Sequence, residues 1–215
     1  MEKAALRSFC AVAAAVGMLT GVAEAATISL GASFSPVLQV DGSSSSTGLT
    51  VTGASAYVVA DVNVFIDFTK CDDPIAADGT CSGSSFSFNE EIVFSLMSPG
   101  GTIVSLVSEF TYSGQTPGAR VGVTFDDAAG SVVGGTSLTS GFFRPVGSLA
   151  AFNGLTGAGL DGTWTLFFED TVGLDPLSLN AWRLDIEAVP EPATLLLLGS
   201  GLGIAGIRRR LKSRA

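Results

Sequence analysis

Between residues 58 and 188 the chain keeps a two-residue rhythm of apolar and polar side chains, and that rhythm commits it to strands. Val62, Val64, Ile66 and Phe68 alternate with Asp61, Asn63, Phe65 and Asp67, which puts one set on each face of an extended segment. Glu91–Met97 repeats the pattern and stops at Ser98-Pro99-Gly100-Gly101, a turn signal. Ile103 to Val107 then reads as the returning strand of a hairpin. Trp164, Leu166 and Phe168 alternate with Thr163, Thr165 and Glu169; after a loop containing Gly, Asp and Pro, Trp182, Leu184 and Ile186 alternate with Arg183, Asp185 and Glu187. The two tryptophans are expected as core aromatics of adjacent strands. No stretch between the terminal segments sustains helical periodicity over three turns. Short strands with turns about every ten residues predict an all-β chain, a jelly-roll-like β-sandwich. Ahead of it, Gly42-Ser43-Ser44-Ser45-Ser46-Thr47-Gly48 is low in complexity and reads as a flexible loop or linker. The chain therefore divides into an N-terminal strand and Ser/Gly-rich segment over 26–57 and a sandwich over 58–188.

Both ends carry targeting signals. Residues 1–25 have a charged start (Lys3, Arg7), an apolar middle from Phe9 to Leu19 and small residues at Ala23 and Ala25. This is the pattern of a secretory signal peptide, with cleavage expected between Ala25 and Ala26. At the other end, Val189-Pro190-Glu191-Pro192 precedes the uncharged run Ala193–Ile207, followed by Arg208, Arg209, Arg210, Lys212 and Arg214. A bilayer core of about 30 Å asks for about 20 apolar residues in a helix, so this run makes a short transmembrane helix. Its terminal cations hold the C-terminus in the cytoplasm.

The order of Pro-Glu-Pro, short apolar helix and arginine cluster over residues 189–215 resembles the PEP-CTERM sorting signal of Gram-negative bacteria. The resemblance implies an exosortase, a membrane transpeptidase with a cysteine nucleophile, as processing partner. It further implies transient anchoring in the inner membrane, then transfer to the cell surface or to extracellular matrix and exopolysaccharide.

A second resemblance runs through the sandwich. Glu91-Ile92-Val93-Phe94-Ser95-Leu96-Met97-Ser98-Pro99-Gly100-Gly101-Thr102, Phe125-Asp126-Asp127-Ala128-Ala129, Phe152-Asn153-Gly154, Gly162-Thr163-Trp164-Thr165-Leu166, Glu169-Asp170 and Asn180-Ala181-Trp182-Arg183-Leu184 follow in the order of the P domain (P/homo B) of proprotein convertases. This implies a jelly-roll sandwich without the protease that such domains stabilise.

From Ala26 to Val189 the four cations Lys70, Arg120, Arg144 and Arg183 face seventeen acids, a net charge of −13. That field repels nucleic acid and anionic lipid. Cys71 and Cys81, in an oxidising compartment, are expected as a disulfide. Asp72, Asp73 and Asp78 lie between them, but their spacing matches no EF-hand loop and reads as a pinched polar turn. Asp126, Asp127 and Asp170 read first as turn residues; together they are the candidate ligands if the sandwich holds calcium. The chain has no histidine, which removes Ser-His-Asp and Cys-His catalysis and the usual zinc sites. Pro99-Gly100-Gly101-Thr102 lacks the lysine and helix of a phosphate loop. The expectation is a non-catalytic surface or biofilm-matrix protein. The alternative is a membrane-tethered module that binds a glycan or a calcium-bridged polymer, with Phe142-Phe143 as its best rim candidate.

Overall fold

The computed structural model describes residues 25–72, 74–82 and 85–191. Residues 1–24, which hold most of the expected signal peptide, and Pro192 with the apolar run and arginine cluster, lie outside the described residues. Among the described residues no helix is long and apolar enough to cross a membrane. In chain order the strands are β1 (Ala26–Val40), β2 (Ser43–Val51), β3 (Tyr57–Lys70), β4 (Phe86–Phe88), β5 (Ile92–Met97), β6 (Ile103–Val107), β7 (Gln115–Pro117), β8 (Ala119–Phe125), β9 (Gly141–Phe143), β10 (Gly162–Asp170) and β11 (Leu177–Pro190).

They form a five-stranded sheet in the order β1-β11-β3-β8-β9 and a four-stranded sheet in the order β2-β10-β5-β6, with a small β4-β7 ribbon beside them. Pairing is antiparallel except between β8 and β9. The period-2 residues meet between the two large sheets. Val62, Val64, Ile66 and Phe68 of β3 and Leu184 and Ile186 of β11 face Phe94 and Leu96 of β5 and Trp164, Leu166 and Phe168 of β10, all buried in one cluster. The rings of Phe68 and Phe94 lie 5.1 Å apart across the gap, and Phe152 packs edge-on against Trp164 at 5.0 Å. The all-β sandwich expected from the rhythm is the observed architecture. The hairpin β5–β6 closes as predicted, with Met97 opposite Ile103.

Two expectations are corrected. Trp164 and Trp182 are core residues, but they sit on β10 and β11, which belong to opposite sheets. The chain changes sheet between them, through the loop 171–176. The serine run is not a linker: Ser43–Val51 is an edge strand paired residue for residue with β10, from Ser43 opposite Asp170 to Val51 opposite Gly162. Its small side chains hide the strand from any hydrophobic count, yet they suit the edge. At Gly48 a Cβ would come within 2.5 Å of Thr163 Cγ2, so glycine permits the close approach. With β1 in one sheet and β2 in the other, residues 26–57 supply strands to both layers.

Since Phe94 is fully buried at the centre of this core, Phe94→Ala should lower stability by about 3–5 kcal/mol. Phe142→Ala, at a ring 69% exposed, should change it by less than about 0.5 kcal/mol. Urea unfolding followed by tryptophan fluorescence measures both.

Candidate functional site

The residues matching the sorting motif begin inside the fold. Ala188, Val189 and Pro190 are the last residues of β11 and pair with Val59, Val58 and Tyr57 of β3, and the Glu191 amide donates to Ala56 O at 2.8 Å. Ala188 is buried and also faces Ala26, the first residue of β1. The start of β1 and the start of the motif therefore lie at the same end of the sandwich. Pro192, Arg208, Arg209, Arg210, Lys212 and Arg214 fall outside the described residues, whereas both sides of the Ala25–Ala26 junction lie within them, Ala25 exposed just ahead of β1.

At the opposite end lies a polar cluster that sequence reasoning did not single out. Lys70, the last residue of β3, is fully buried. Its ammonium donates to Glu91 Oε2 and Asp170 Oδ2, each at 2.9 Å, and to the carbonyl of Asp175. Three N–H donors thus find three acceptors. The Asp175 carboxylate stands 3.3 Å from the same nitrogen and accepts the Phe88 amide. An ammonium occupies the centre of this carboxylate set. Burial works against the Lys70 charge, but the hydrogen bonds and charges of Asp170, Glu91 and Asp175 outweigh it and raise its proton affinity. Three carboxylates with one cation leave negative charge in excess. Burial, only partly relieved by Lys70 and aggravated by Asp175, pushes Glu91 up to about 7 and Asp170 up to about 6. Asp170 Oδ1 has no hydrogen-bond partner at all. One cue in the sequence could have pointed here, for Lys70 is the sole lysine between the signal peptide and the C-terminal tail.

The candidate calcium ligands are not brought together. Asp126 and Asp127 follow β8, whose end Phe125 pairs with Val64, whereas Asp170 sits at Lys70. That is six residues further along β3, or roughly 20 Å. Asp126 Oδ1 accepts the Ala128 amide at 2.7 Å, a local turn. Asp127 accepts Ser148 Oγ at 2.7 Å, the Ala150 amide at 2.9 Å and the Leu149 amide at 3.1 Å, bracing the 3-10 turn Leu149–Phe152. Burial raises its carboxyl, but those bonds and Arg144 prevail and hold it below the usual range. Among the described residues no group of three or more His, Cys, Asp or Glu side chains is arranged to hold a metal.

Cys71 and Cys81 form the expected disulfide, with Cα atoms 5.7 Å apart. Asp78 within its loop accepts the Thr80 amide and hydroxyl at 3.0 and 2.7 Å, which lowers its proton affinity; Asp72 is half-buried, and Asp73 lies outside the described residues. Of the Phe142-Phe143 pair on β9, Phe142 is exposed and Phe143 packs against the core.

Residues 188–210 match the PEP-CTERM protein-sorting motif. The match supports exosortase-dependent sorting of an exported protein with a membrane-associated C-terminus. No curated protein matches the chain. A solved structure described as "Structure of PfGH50B" is similar at 12% identity and a TM-score of 0.33; the likeness covers 79% of this chain and 22% of that one, too distant to bear on function. These similarities do not support the P-domain resemblance.

Both raised carboxyls have higher proton affinity in the folded chain than their ordinary values of 4.5 and 3.8. Protonation therefore favours folding, and stability falls as pH rises through the window from those values to about 7. The unfolding midpoint should drop between about pH 4 and pH 7, and Glu91→Gln should flatten that slope. Lys70→Met, which strips the one cation from three carboxylates, should cost about 3–5 kcal/mol near neutral pH; thermal unfolding across a pH series reads all three.

Proposed function

We propose that the protein is a non-catalytic component of the cell surface or biofilm matrix, exported by its signal peptide and cut by an exosortase at Pro190-Glu191-Pro192. One observation carries this reading: the sorting motif matched at 188–210 starts within the last strand of a folded domain. Only Glu191 and Pro192 separate the end of β11 from the apolar run at Ala193. The domain would thus sit against the membrane until the motif is processed. A disulfide and a strongly acidic surface suit a protein that then stays folded outside the cell. The two sheets are read as a jelly-roll sandwich, and exopolysaccharide is the proposed acceptor or neighbour after transfer.

A second reading rests on Phe142, whose ring stands 69% exposed on the short strand β9. An exposed aromatic is a platform on which a sugar ring stacks, and the module would then bind a glycan, with or without calcium. Glycan-array binding lost in Phe142→Ala would support that role; binding unchanged in this variant would remove the site.

The sorting reading is tested by the intact mass of the protein from its native host, beside a Pro190→Ala/Glu191→Ala variant. Processing predicts a wild-type mass ending at or near Pro190–Pro192, alone or with a covalent adduct, and a variant that keeps its tail. A C-terminus at Ala215 in both would mean a plain membrane anchor.

A further inference from the structure

The end of the sandwich remote from the sorting motif exposes apolar side chains on three loops that converge over the Lys70 cluster. Phe86 and Phe88 of β4 are exposed, the first at 59%. Leu174, in the loop between β10 and β11, is 84% exposed, and Val172 is exposed beside it. Phe110, 71% exposed, stands next to them, since its amide donates to Glu90 O at 2.8 Å. Thr171 ties the loops together through Glu91 O at 3.2 Å and Glu109 Oε1 at 3.1 Å.

Leu174 and Phe110 are the two non-glycine residues with positive φ among those described, at +108° and +65°. A leucine or phenylalanine in that region is strained, and Gly or Asn would be cheaper. Asp41 holds Leu174 in place by accepting its amide at 2.7 Å. The fold thus bears backbone strain in order to present two large apolar side chains to solvent, where they add nothing to the core.

Phe86, Phe88, Val172 and Leu174 wall a groove of about 520 Å³ whose remaining lining includes Asp72, Glu90, Glu91 and Asp175. Lys70 beneath it is already shared with Glu91, Asp170 and Asp175, so the groove carries carboxylates in excess and no free cation among its lining. Apolar walls rimmed by acid mark a surface for a macromolecular partner. Phenyl faces beside carboxylates suit a Lys or Arg head group, and the aliphatic walls suit its apolar neighbours.

We propose that this groove docks a cationic, amphipathic segment of a partner polypeptide. Phe86, Phe88 and Leu174 receive the apolar side chains, and Glu90 and Asp72 pair with the cations. Val172 and Leu174 favour peptide over polysaccharide, since sugar rings stack on flat aromatic faces and gain little from aliphatic side chains. The site lies at the other end of β11 from the motif and does not depend on processing there.

The test is fluorescence anisotropy with the full-length protein in non-ionic detergent, using labelled peptides of alternating Lys-Leu and alternating Lys-Ser and a labelled glucosamine hexamer. The Lys-Leu peptide should bind saturably and weaken with added salt. Its affinity should fall about tenfold or more in Phe86→Ser and in Leu174→Asn, and the Lys-Ser peptide should bind more weakly than Lys-Leu. Asn tolerates the left-handed backbone, so Leu174→Asn keeps its unfolding temperature and separates lost binding from lost folding. Equal binding of Lys-Leu to wild type and both variants would overturn the proposal, leaving only the diffuse acidic surface. Absence of saturable binding would overturn it as well. Hexamer binding that is lost in the variants while the peptide fails would reassign the groove to an amino-sugar polymer.

Discussion

The ammonium of Lys70 is the point on which the upper half of the sandwich turns. It ends β3 in one sheet and reaches Asp170 at the end of β10 in the other, Glu91 ahead of β5, and Asp175 in the loop that carries the chain between the sheets. Apolar packing holds the layers together elsewhere, through Phe68 on Phe94 and Phe152 on Trp164. At this end charge joins the layers as well, and Lys70 is one of the groups that hold the crossover loop, beside Asp41 at the Leu174 amide and Glu91 O at the Thr171 amide. Buried charge of this kind contributes less net stability than its short distances suggest, because desolvation offsets attraction. What it does supply is position: Glu91, Asp170 and Asp175 are drawn to one nitrogen, and the segments that bear them follow.

That positioning divides the molecule into two functional ends. β11 runs fourteen residues from Leu177 to Pro190, roughly 45 Å in extended chain. Lys70 and its carboxylates stand at one end of it, and Ala26, Ala188 and the motif stand at the other. Asp41, in the corner between β1 and β2, accepts the Leu174 amide in the β10–β11 loop, so two of the places where the chain changes sheet brace each other at the far end. A domain held at the membrane by its C-terminal segment would present that braced end outward.

The sequence was legible where burial was one-sided and side chains were large. β3, β5, β6, β10 and β11 could be read from alternation alone, because inward Val, Ile, Leu, Phe and Trp contrast with outward Asp, Thr and Arg. β2 could not, since an edge strand of serines carries no hydrophobic contrast and is defined by its partner β10. Nor does periodicity say which sheet a strand joins, which is why Trp164 and Trp182 read as neighbours and lie in opposing layers. The Cys71–Cys81 bond followed from compartment and spacing. The Lys70 cluster did not, because its members are 105 residues apart at the extremes, Glu91 reads as part of a strand and Asp170 as a turn residue until the sheets bring them together. The same long-range pairing separated Asp126 and Asp127 from Asp170, which sequence order had grouped.

The overlap of strand and motif has its own physical logic. β11 lies between β1 and β3 for most of its length, but β1 begins at Ala26, opposite Ala188. Beyond that residue β11 has a single neighbour among the described residues, and Val189 and Pro190 pair with β3. A proline cannot donate to a ladder and is tolerated in a sheet where one side is open, which is the condition met at Pro190. The first proline of the motif therefore also ends the sheet, and Glu191 still spends its amide on Ala56. Anything that binds Pro190 and Glu191 must first take them from Tyr57 and Ala56. The resistance is small, two or three pairings at a strand end where fraying is cheapest, so the folded domain limits access to the motif without blocking it. Val189, Pro190 and Glu191 thus belong both to the fold and to the matched motif, and a chain whose β3 had not formed would offer them without that restraint.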